Sequence, residues 1–93
     1  MRHHSSERAA VLAVLASENR VWSLKDIHMS PQTRSLETVY LAELLPRLEE
    51  LGYVERRVGE RLAGYRLSPL GRRTLHSWID TRQWPPEGGQ SEG

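Results

Sequence analysis

The sequence predicts a mainly α-helical domain carrying a small β-hairpin, an α+β class, and three observations predict it. Leu44, Leu45, Leu48 and Leu51 recur at helical spacing, which gives one helix an apolar face. Gly52 follows at once, where a helix commonly ends on a residue tolerant of positive φ. Tyr53, Val54 and Val58 suit an extended segment, residues 59–64 a turn, and Tyr65, Arg66 and Leu67 a returning strand.

The remaining elements follow from the same rules. Ser5 or Ser6 is placed to cap a first helix, with Glu7 in its first turn. Residues 9–16 are alanine, valine and leucine on every side, so this helix is expected to be central and mostly buried. Val21 and Trp22 read as a brief extended segment, with Trp22 either covering a core edge or stacking on a ligand; burial habits favour packing. Ser23 caps a short second helix that Pro31 ends, and Asp26 stands at the third helical position. Ser35 is expected to cap the third helix after a turn over residues 30–35. Its inward stripe is Leu41, Leu44, Leu45, Leu48 and Leu51, with Thr38 on the same side. Its outward face is then Leu36, Val39, Tyr40, Glu43, Pro46, Arg47 and Glu50, with a kink expected at Pro46. Ser68 or Pro69 opens a last helix with Leu70, Leu75, Trp78 and Ile79 on one side. Trp84 extends that side if the helix reaches it.

Length and composition bound the class. Ninety-three residues make one small domain over residues 5–84, and residues 85–93 have the composition of a disordered tail. Apolar residues are 38% and charged residues 27% of the chain, as in a compact globular domain. Without cysteine there are no disulfides, zinc–thiolate sites or cysteine nucleophiles. No apolar run approaches the roughly 18 residues of a membrane span, so no membrane partner and a cytoplasmic location are expected. No glycine-rich phosphate loop and no histidine–carboxylate motif is present, so neither an enzyme nor a cofactor is expected. His28 has no partner at ligand spacing; a surface or partly buried histidine is favoured over a metal ligand. Glu49 and Glu50 are adjacent on a helix and point in different directions, which suits solvation better than paired acid–base chemistry.

A net charge of +1 hides an uneven distribution. Residues 55–73 hold Arg56, Arg57, Arg61, Arg66, Arg72 and Arg73 against Glu55 and Glu60, or +4. Residues 37–50 hold Glu37, Glu43, Glu49 and Glu50 against Arg47, or −3. A basic hairpin adjoins an acidic helix.

At Leu48, Glu49, Gly52, Val54, Arg56, Tyr65, Leu67, Ser68, Gly71 and Arg72 the chain resembles the winged helix-turn-helix core of the MarR and PadR transcriptional regulators. The likeness spans about residues 11–75. It implies a homodimer joined through terminal helices, with a recognition helix in each major groove and wings along the DNA backbone. Three departures stand beside it. MarR proteins carry longer dimer helices; PadR proteins usually carry a tyrosine where this chain has Ala42, two residues from Tyr40; and Glu43 and Glu50 fall on the outward face of the third helix.

Candidate residues follow from that outline. Arg56, Arg57, Arg61 and Arg66 suit phosphate contacts, with Arg61 near the wing tip placed for a minor groove. Gln32, Thr33, Arg34, Ser35, Thr38 and Tyr40 stand near the start of the third helix for base reading, and Arg47 is expected to offset Glu43 in part. The resulting expectation is a sequence-specific, double-stranded DNA-binding regulator. The alternative is a protein-interaction module using the outward apolar residues of the third helix. Leu75, Trp78 and Ile79 either close the core or form a two-fold seam with a second copy, and the seam is favoured.

Overall fold

The computed structural model describes residues 5–59 and 63–84. Among these, the elements follow in the order α1 (Ser5–Ser17), α2 (Leu24–His28), α3 (Thr38–Glu50), β1 (Val54–Val58), β2 (Ala63–Leu67) and α4 (Pro69–Thr81). The chain is mainly helical with a two-stranded antiparallel sheet, the α+β class expected. The tail at 85–93 lies outside the described residues.

α1 is the central rod. Val11, Leu12, Val14 and Leu15 are buried, and the helix packs against α2, β2 and α4. Beyond it, Trp22 bridges Tyr65, each backbone N–H donating to the other's carbonyl at 2.8 Å. This aligns the Val21–Trp22 segment with β2. Gly64 permits the approach, because a Cβ there would stand 2.3 Å from the Trp22 carbonyl oxygen. The indole itself is core, and the Arg20 guanidinium lies 3.7 Å over it. Arg20 also bonds Glu18 at 2.6 Å and Asp26 at 3.3 Å. The Arg20 bond, opposed by desolvation and helped by Ser23, holds Asp26 below the usual carboxylate range. Ser23 caps α2 as expected, its Oγ accepting from the Asp26 N–H at 3.1 Å.

The turn before α3 differs from expectation. The helix starts at Thr38 with Glu37 as its cap, not Ser35, and the Glu37 side chain makes no capping bond. The chain between is occupied by successive turns: Thr33 N–H donates to Ser30 O and Leu36 N–H to Thr33 O. Thr33 is fully buried, 0% exposed, because its hydroxyl donates to the Ile27 carbonyl at the end of α2.

Leu41, Leu44, Leu45 and Leu48 form the buried stripe of α3, while Thr38 is exposed and Leu51 only half-buried. The helix runs unbroken through Pro46. Pro46 and Ala42 are both exposed, so water can serve the Ala42 carbonyl that Pro46 leaves without a donor.

Gly52 ends this helical run at φ +87°, a backbone region that costs glycine nothing. The junction to α4 is then closed twice over. Ser68 Oγ donates to the Gly52 carbonyl at 2.6 Å and accepts the Gly71 N–H at 2.9 Å. A Cβ on Gly71 would stand 2.0 Å from the Tyr53 carbonyl oxygen. The first turn of α4 therefore lies directly on the start of β1.

α4 stops at Thr81, with Arg82 left-handed at φ 57°. Helix extension does not place Trp84; the chain turns back and stacks it edge-on against Tyr53 at 5.3 Å and Trp78 at 6.2 Å.

Candidate nucleic-acid interface

The strand register sorts the hairpin side chains. Val54 pairs with Leu67, Glu55 with Arg66, Arg56 with Tyr65, and Arg57 with Gly64. Side chains directly opposite in an antiparallel pair share a face, and successive residues alternate. Val54, Arg56, Tyr65 and Leu67 therefore share the face whose Val54 and Leu67 are buried under the helices. Glu55, Arg57 and Arg66 share the outer face.

On that outer face, Arg57, Arg66, Arg72 and Arg73 line an open groove of about 590 Å³ with Asn19, Glu55, Ser68 and Pro69. Four arginines meet one glutamate. Glu55 is taken up by Arg57 at 3.0 Å, and Arg66 Nη2 donates to Asn19 Oδ1 at 3.0 Å. A second open depression of about 420 Å³ continues toward the free end of the hairpin, bordered by Arg56, Arg57, Val58 and Arg66. Arg56, Arg57 and Arg66 are thus brought together as expected. Arg61 lies outside the described residues.

Arg72, Arg73 and Asn19 belong to this groove without having been singled out as site residues. A usable signal was present: only Ser68 separates the end of β2 from α4, which places the first turn of that helix beside the strand. Asn19 carries no such signal, since 47 residues separate it from Arg66.

The α3 candidates scatter. Gln32, Arg34, Ser35 and Thr38 are exposed, with Arg34 Nη2 donating to the Met29 carbonyl at 3.4 Å. Thr33 is spent on Ile27 and cannot reach a base. Tyr40 turns toward α1 rather than outward, its hydroxyl donating to Glu7 at 2.8 Å. Burial first, and then the Glu7 bond, push its pKa up to about 12. Arg47 is exposed with Glu50 at 4.0 Å. Leu36, like Tyr40, packs on the core, so the outward apolar stripe shrinks to Val39 and Pro46. Glu37, Glu43, Glu49 and Glu50 are all exposed around it.

The seam candidates divide as well. Leu75 is 5% exposed and belongs to the core, because α4 presents it to α1. Trp78 is half-buried, whereas Ile79 is 54% exposed; both line a depression with Ala10 and Ala13 of α1. Among the described residues, no helix is long and apolar enough to cross a membrane. No family model, curated protein or solved structure matches this chain.

Proposed function

We propose that this chain is a winged helix-turn-helix regulator of transcription that binds double-stranded DNA as a homodimer. One observation carries the DNA reading: four arginines from three elements line a single open groove whose sole glutamate is already paired with one of them. Phosphate contacts by arginine supply most non-specific DNA affinity. The helix–helix–helix–hairpin–helix order supports the winged reading, as does the Trp22–Tyr65 bridge that adds a short segment beside β2. Exposed Ile79 beside Ala10, Ala13 and Trp78 supports the dimer, with the seam reduced to Trp78 and Ile79. The protein-module alternative loses support, since Leu36 and Tyr40 leave the outward stripe.

The test is duplex binding measured over a salt series. Each phosphate contact contributes about 0.9 to the fall of log K with log salt. A slope of roughly −3 or steeper is expected, and Arg57→Gln with Arg66→Gln makes it shallower for unrelated duplexes alike. Binding indifferent to salt, or none at low salt, contradicts the reading. In sedimentation, a wild-type dimer that Ile79→Asp converts to monomer is expected; a wild-type monomer removes the homodimer.

A further inference from the structure

We infer that the nucleic acid lies along the outer face of the hairpin and the start of α4, with α3 turned away from it. This rests on the DNA-binding reading above and decides where that partner sits.

Charge is the first argument. The exposed surface of α3 and its cap carries Glu37, Glu43, Glu49 and Glu50 against Arg47, a balance of −3. Pressed into a groove walled by phosphates, those carboxylates are repelled and desolvated together. Two of the base-reading candidates, Thr33 in the turn before α3 and Tyr40 on it, are engaged inside the fold by Ile27 and Glu7.

The outer face has the opposite balance. Arg72 and Arg73 are exposed, and among the described residues neither forms an ion pair. They continue the line of Arg66 and Arg57 through two open depressions that share both residues, with Arg56 reaching the border of the second from the other face. The positive end of the 13-residue α4 opens onto the same groove through Ser68 and Pro69.

Shape is the second argument. A five-residue strand spans about 17 Å. A DNA strand presents a phosphate roughly every 3.4 Å along the axis, so this length faces about five of them. Arginines strung along open depressions match a polymer backbone better than a small anion, which calls for donors converging on one point.

The test uses the full chain and a labelled duplex of about two helical turns, roughly 20 base pairs. Arg72→Gln with Arg73→Gln alters two exposed side chains, and an unchanged thermal midpoint confirms the fold. We expect affinity to fall about tenfold near physiological salt and the salt slope to lose roughly 2. Glu43→Gln with Glu50→Gln is expected to change affinity by less than about twofold, since those carboxylates stand away from the phosphates. Wild-type affinity in the arginine variant, or about tenfold tighter binding in the glutamate variant, overturns the placement. If Arg57→Gln weakens binding while the Arg72/Arg73 variant does not, DNA binding along the hairpin stands and the placement on the start of α4 falls. A wild-type chain that binds no duplex at any salt removes both.

Discussion

The exposed side of α3 and the outer face of the hairpin are both solvated, yet they are built in opposite ways. α3 turns its leucines inward and leaves glutamates on the surface, with Arg47 offset by Glu50 at 4.0 Å. The hairpin turns Val54 and Leu67 inward and leaves arginines outside, joined by those of α4. The contrast shows that folding fixes the inner stripes while leaving each outer surface free to choose its sign. A surface held at one sign by three separate elements is costly to the fold through self-repulsion, so it points to a partner of the opposite sign.

The largest effect expected on this comparison comes from the junction that aligns the arginines. Gly71→Ala drives a Cβ toward the Tyr53 carbonyl and must displace either α4 or β1. Destabilisation of about 3 kcal/mol is expected from overpacking against backbone, read as a lower denaturant midpoint. A near-wild-type midpoint would show that the junction is slack, and the arginine line with it.

On the α3 side, Thr33→Val keeps the volume but removes the hydroxyl that serves the Ile27 carbonyl. The Ile27 carbonyl keeps the Ser30 N–H at 3.2 Å, so a loss of about 0.5–1.5 kcal/mol, that of one hydrogen bond, is expected. The salt slope of DNA binding should stay unchanged, because this residue is internal. A changed slope would restore Thr33 to the interface.

The smallest effect is a pH dependence. Tyr40 holds its proton up to about pH 12 in the folded chain, against an ordinary value of 10.0. The unfolded chain gives up that proton first, so this contribution is present below pH 10 and is lost as pH rises toward 12. Tyr40→Phe is expected to flatten the alkaline limb of the stability profile in that window. An unaltered limb would show that Tyr40 faces solvent, as the helical rotation alone suggested.

Much of this fold was legible because its signals are local. Leu41, Leu44, Leu45 and Leu48, Gly52, the Ser23 cap and the start of α4 at Ser68–Pro69 each depend on residues within one or two turns, and each appears where expected. What escaped was decided by distant neighbours. Tyr40 is turned inward by Glu7, 33 residues away, and Thr33 is buried by a carbonyl in the preceding helix. Leu75 joins the core because α1 lies against α4, which no periodicity within α4 reveals. For the candidate site, the arginines of the hairpin were readable as a charge cluster. Their division between two faces needed the strand register, and their extension to Arg72 and Arg73 needed the close Ser68 junction.

The most direct measurement of where the partner lies is a backbone amide shift map of the full chain titrated with duplex DNA. The largest shifts are expected across residues 55–58 and 64–73, with residues 38–50 of α3 nearly unmoved. Shifts concentrated at residues 32–47, with Arg72 and Arg73 silent, would contradict the account and return α3 to the groove.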